Sequence, residues 1–136
     1  MKKVISLFAI IMVTIIVSGC SSQPKPLYTY GDYSESYYAS KKESTAESAL
    51  ALKKSIEYAI EHTDDSSSGR VAPGMYANLG YIYLKANDMS KAIENFNKEK
   101  LTYPESAYFM EKMINKIKKS QGETKWLRNE YLLTLL

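Results

Sequence analysis

Cys20 is the only thiol in a chain of 136 residues, and the residues around it prepare it for a particular chemistry. Val17-Ser18-Gly19 precede it and Ser21-Ser22 follow, small side chains that let a peptidase hold the backbone extended in its site. Cysteine is the common side chain whose sulfur can be alkylated with diacylglycerol and whose amino group can then become a new N-terminus. Upstream, Met1-Lys2-Lys3 is positively charged and Val4 to Val17 is an apolar run of about 14 residues. That run fits the core of an export signal and falls short of the roughly 20 residues that span a bilayer.

Together these features read as a bacterial lipoprotein signal with its lipobox. The reading predicts removal of residues 1–19 and a covalent lipid on Cys20, with no other cofactor. One myristoyl-length chain holds a protein only marginally, each buried CH₂ adding about 0.8 kcal/mol, so two or three chains make release negligible. Ser21 stands where an aspartate directs retention in the inner membrane, so an outer-membrane address facing the periplasm is expected. The mature chain is then anchored to the membrane surface and does not span it.

Other side chains that can do chemistry are few. His62 is the only imidazole, and its place at the end of a helical pattern suits the negative end of a helix dipole better than a catalytic base. Asp64-Asp65 is the visible carboxylate pair, but three serines and a glycine follow it in what reads as a solvated loop. No Gly-rich phosphate cradle, zinc spacing or calcium-loop pattern is present. A non-enzyme is expected.

Removing residues 1–19 leaves 117 residues, one small domain, in which 16 basic side chains face 15 acidic ones. Nothing in that balance resembles the clustered positive charge of a nucleic-acid binder. Twelve tyrosines against three phenylalanines and one tryptophan suit shallow packing and contact surfaces, because tyrosine buries a ring and keeps its hydroxyl wet.

The elements that must position these residues are helical throughout. Residues 20–29, with Pro24 and Pro26, read as the lipidated cysteine and a flexible tether. A first helix is predicted from Asp32, capped with Glu35, and a second from Ser44, capped with Glu47, to about His62. The apolar stripe of the second is Ala49, Leu52, Ile56, Ala59 and Ile60. Further helices are predicted over about 74–86, 89–101 and 105–119, the last ended by Gln121-Gly122. A final short helix then carries Trp126, Leu127 and the leucines to Leu136. That last run either seals the open end of the domain or docks onto a partner.

Residues 73–106 hold Tyr76, Leu79-Gly80, Tyr83, Ala92, Phe96 and Pro104. Their spacing is similar to the tetratricopeptide pattern of about 34 residues, with Tyr76 for the usual tryptophan and Glu99 where a small residue is usual. The resemblance implies two antiparallel helices that approach closely at Gly80 and Ala92. One such unit cannot bury its own faces, so degenerate flanking units are expected. The fold predicted over residues 30–136 is all-α, a short TPR-like helical repeat stack of five or six helices.

On this fold the inner helix of the repeat should turn Ala77, Asn78, Tyr81, Leu84 and Lys85 to a concave side that either binds a partner or is merely solvated. The tyrosines from Tyr28 to Tyr38, Tyr33 and Tyr37 among them, form either a contact surface for a partner or glycan or the inner face of a first repeat. The lipobox, Pro26-Leu27-Tyr28, this tyrosine-rich segment and the 73–106 repeat together resemble a family of small uncharacterised Gram-negative lipoproteins encoded beside lipoproteins similar to the curli secretion channel. The resemblance covers most of the mature chain. It implies an outer-membrane role in an envelope assembly, with other envelope proteins as partners and a curli-secretion-like lipoprotein as one candidate, and it supplies no catalytic residues.

Overall fold

A computed structural model of the chain describes residues 24–133, with side chains as far as Gly122. The expected signal segment 1–19, Cys20 with its expected lipid, and residues 134–136 lie outside the described residues. Among the described residues there are five α-helices and no strand. They are α1 (Tyr33–Lys42), α2 (Ala46–Glu61), α3 (Met75–Lys85), α4 (Met89–Thr102) and α5 (Ala107–Leu133), with 3₁₀ turns at Thr63–Asp65 and Pro104–Ser106. Each helix packs on the next in chain order, which makes a short all-α stack.

Two helix starts differ from the capping boxes expected of them. Asp32 precedes α1, but its ψ of 19° is not the extended conformation of a side-chain cap, and its carboxylate makes no cap bond. For α2 the box sits one residue later than Ser44/Glu47. Thr45 is extended (φ −97°, ψ 161°), its Oγ1 accepts from the Ser48 N–H at 3.1 Å, and the Ser48 Oγ accepts from the Thr45 N–H at 3.2 Å. A serine at the third helical position thus takes the part expected of a glutamate.

The break expected at Gln121-Gly122 is absent. The helix runs on to Leu133, so the separate sixth helix is the continuation of α5. An interior glycine costs only about 1 kcal/mol relative to alanine, and no proline follows to enforce a stop. The side chains of the terminal apolar run, and with them its expected sealing role, lie outside the described side chains.

The core has two parts. Ile56 and Ala59 of α2 meet Met75 and Leu79 of α3 together with Val71 and Ala72 of the preceding loop. Ala92 and Phe96 of α4 meet Met110, Ile114 and Ile117 of α5. Tyr83 packs against both, which joins them into one stack. Gly80 decides how closely α3 and α4 approach. A Cβ there would stand 2.8 Å from two Phe96 ring carbons and 3.1 Å from the Ala92 carbonyl oxygen.

Glu99, at a position where the repeat pattern favours a small side chain, is buried. Its carboxylate accepts the Gly74 N–H at 2.8 Å and the Ala77 N–H at 3.2 Å. Gly74 is the N-cap of α3 with φ 84°, a conformation that favours glycine and leaves no side chain to cap the helix. A carboxylate from α4 supplies the cap instead, at the positive end of the α3 dipole.

The chain is held from Lys25 onward, within the stretch expected to be a flexible tether. Lys25 Nζ donates to the Asp64 carbonyl at 3.2 Å, and the Ser67 and Ser68 N–H groups donate to the Pro26 and Leu27 carbonyls at 2.8 and 3.3 Å. Tyr103 closes the same end of the stack by donating its hydroxyl to the Val71 carbonyl.

Candidate functional site

A groove of about 900 Å³ opens between α1, α2 and α3, within the size range of sites that hold ligands or peptide segments. Tyr37 and Lys41 come from α1, Leu50 and Lys53 from α2, and Tyr81 and Lys85 from α3. The short α1–α2 turn, set by the Thr45 box, is what brings the first two helices to one side of α3. No aspartate or glutamate lines this groove.

Its lysines differ in state. Lys53 pairs with Glu57 at 3.4 Å and lies over the Tyr83 ring at 5.1 Å. Burial works against its charge, but Glu57 and Tyr83 outweigh that and hold Lys53 above its ordinary pKa. Lys41 and Lys85 have no carboxylate partner among the described residues. Each instead lies over a tyrosine of its own helix, Lys41 over Tyr37 at 5.3 Å and Lys85 over Tyr81 at 5.5 Å. Such contacts contribute about 0.5–1 kcal/mol and leave the ammonium able to meet an incoming anion.

Tyr81 and Lys85 also border a second, smaller groove of about 360 Å³ between α3 and α5, with Met89, Met113 and Lys116. It too has no acidic lining. The two hollows meet across the exposed ridge of α3, so one continuous face carries Lys41, Lys53, Lys85 and Lys116 between apolar and tyrosine surfaces.

Of the residues singled out in sequence, Tyr37, Asn78, Tyr81 and Lys85 line the main groove together. Tyr33 stands behind them. Its hydroxyl accepts from Asn78 Nδ2 at 2.8 Å, which ties α1 to α3, and burial followed by the neighbouring Tyr37 and Tyr30 raises its pKa. Ala77 does not reach the groove; it packs against the cluster around Phe96. Leu84 lines the second hollow. Lys41, Lys53 and Lys116 were not singled out, because they come from three different helices and share no local spacing.

The tyrosines of the N-terminal segment form a ladder. Ring centroids of Tyr28, Tyr30, Tyr33, Tyr37 and Tyr38 follow at 6.4, 6.3, 5.8 and 6.1 Å. Each ring contacts the next, and Tyr30 and Tyr38 are left exposed. His62 stacks on Tyr58 at 3.9 Å, and its Nδ1 lies 2.9 Å from the Tyr58 carbonyl oxygen, where it secures the end of α2. Asp64 and Asp65 are exposed in the following 3₁₀ turn. Among the described residues no group of His, Cys, Asp and Glu has the arrangement to hold a metal ion, and no helix is long and apolar enough to cross a membrane.

Residues 27–113 match the model of a family described as a domain of unknown function, DUF4810. The chain belongs to that family. The matched span runs from the docked Leu27 through α1–α4 into the first turns of α5, so the family's common part includes the whole main groove. No curated protein and no solved structure matches the chain.

Proposed function

We propose that this chain is a lipid-anchored, non-catalytic scaffold of the outer membrane, which holds a partner protein's segment in the groove of α1, α2 and α3. The observation that carries the reading is the make-up of that groove. Lys41, Lys53 and Lys85 line it, no carboxylate does, and Leu50 and Tyr81 lie exposed between them. Without residues 1–19 the chain has 16 basic side chains against 15 acidic ones, so this face is basic by arrangement and not by composition.

The complementary occupant is a segment that alternates carboxylates with apolar side chains. Carboxylates meeting Lys41 and Lys85 supply orientation and on-rate, while apolar residues meeting Leu50 and Tyr81 supply the burial that slows release. The helix order and the Gly80/Ala92 close approach support a TPR-like stack, a design that presents such faces. The lipobox around Cys20 supports anchoring on the periplasmic side of the outer membrane. The resemblance to lipoproteins encoded beside curli-secretion-like channels makes a lipoprotein of that kind the first partner to test.

Two measurements test this reading. Labelled palmitate should enter the wild-type chain and not Cys20→Ala. Pull-down from crosslinked envelopes should return one recurrent protein that disappears with the pair Lys41→Glu/Lys85→Glu. Absence of label, or a partner indifferent to charge reversal, contradicts it.

A second reading rests on the tyrosine ladder, whose exposed Tyr30 and Tyr38 can stack on a glycan. Sedimentation with purified peptidoglycan separates the two, since only this second reading predicts co-sedimentation that fails in Tyr30→Ala/Tyr38→Ala.

A further inference from the structure

Large apolar side chains gather at one end of the stack, away from the groove. Leu27 is 62% exposed, Leu101 78%, Tyr108 71% and Phe109 60%. Leu101 lies in the last turn of α4, and Tyr108 and Phe109 lie in the first turn of α5. Leu27 docks against the loop that links α2 to α3. A chain of contacts holds these pieces together as one end. Arg70 of that loop donates to the Thr102 carbonyl at 2.7 Å, Tyr103 reaches Val71, and Lys100 pairs with Glu111 at 3.3 Å.

The same end is where the chain arrives from Cys20. Six Cα steps separate Cys20 from Pro26, the first of the described residues held by a backbone hydrogen bond, and they reach at most about 22 Å. Helix α2 alone, with 16 residues, is about 24 Å long. A lipid on Cys20 therefore keeps the Leu27 end within about 22 Å of the anchor, which makes it the end of the stack nearest the bilayer.

We infer that this end is a lipid-contacting surface: Leu27, Leu101, Tyr108 and Phe109 rest in the interfacial zone of a zwitterionic phospholipid leaflet, and the stack stands on it with the groove facing sideways or outward. The inference rests on the anchoring half of the proposed function. Tyr108 suits that zone because its ring is buried while its hydroxyl stays wet, and Phe109 and the two leucines supply purely apolar surface to it. Lys112 lies 4.4 Å from the Tyr108 ring centre and can carry its ammonium up to a phosphate while its stem covers apolar surface. Charge does not commit the surface to anionic lipid. Lys25, Arg70, Lys100 and Lys112 are offset there by Asp32, Asp64, Asp65, Glu105 and Glu111. A membrane is flat on this scale, so it fits a projecting end and not the hollow between three helices.

The test uses the full chain in living cells, with a photoreactive p-benzoylphenylalanine in place of Phe109 or, in a second strain, of Tyr81. After irradiation, mass spectrometry of the protein reads phospholipid adducts, and labelled palmitate on the same samples reads anchoring. The expected result is a lipid adduct from position 109 at least tenfold more abundant than from position 81, lost in Cys20→Ala. Palmitate incorporation with no lipid adduct at position 109, or with equal adducts at both positions, overturns this inference and leaves the anchor standing. Failure of palmitate to enter removes both.

Discussion

Glu99 of α4 caps a helix that it does not belong to: its carboxylate accepts the N–H of Gly74 at 2.8 Å, 25 residues earlier in the chain. Removing it leaves two part-buried amides at the start of α3 unpaired beside the dipole's positive end. Hydrogen bonds to charged groups contribute about 1.5–3 kcal/mol, so Glu99→Ala should lose about 3 kcal/mol in urea unfolding followed by circular dichroism. Glu99→Gln keeps one acceptor and should lose less.

Gly80→Ala sets two effects against each other. Alanine improves helix propensity by about 1 kcal/mol. Its Cβ, however, lands 2.8 Å from the Phe96 ring and 3.1 Å from a backbone oxygen, and overpacking of this kind costs about 1–3 kcal/mol. A net loss near 1 kcal/mol is expected from the unfolding midpoint. Phe96→Leu should relieve part of it in the double variant, which makes the two substitutions non-additive.

Tyr103 predicts an alkaline transition. Burial, then the Tyr28 hydroxyl beside it and the negative charge of Glu99, push its pKa up to about 12 against the opposing charge of Arg70. In the unfolded chain a tyrosine titrates near about 10. Because the folded value is the higher one, the contribution is complete below about pH 10 and is lost as pH rises through about 12. Stability measured from pH 8 to 12 should therefore fall more steeply for wild type than for Tyr103→Phe. Equal slopes contradict the assignment.

Asn78 and Tyr33 hold α1 to α3 through one hydrogen bond of 2.8 Å. Asn78→Ala should cost about 1 kcal/mol and loosen α1 first, because that helix has no fully buried residue of its own. Amide hydrogen exchange should show protection falling in Tyr33–Lys42 while Met89–Thr102 is unchanged.

Local periodicity and spacing made much of this stack legible. Gly80, Ala92 and Phe96 mark the tight hairpin because a close approach imposes residue size at fixed intervals. Asn87 and Asp88 fall in the gap between the helices predicted over about 74–86 and 89–101, with Asn87 at φ 62° and Asp88 capping α4 through the Lys91 N–H. The Glu99 cap was not legible, since a bond across 25 residues leaves no trace in neighbouring letters. Gly122 misled because a glycine alone is a weak helix stop, while Ala77 packs toward the Phe96 cluster although it lies only about 40° around α3 from Tyr81. The groove's charge was only partly visible. Lys85 belonged to the expected concave face, but its basic neighbours come from separate helices.

Charge reversal in the groove tests the central claim most directly. A photoreactive residue in place of Tyr81 should crosslink, in intact envelopes, to an acidic, apolar-rich stretch of one partner protein. The adduct should drop at least tenfold in Lys41→Glu/Lys85→Glu, whose circular dichroism and thermal unfolding stay near wild type because both lysines are exposed. An adduct that survives the reversal undiminished, or maps to a basic stretch, contradicts the account.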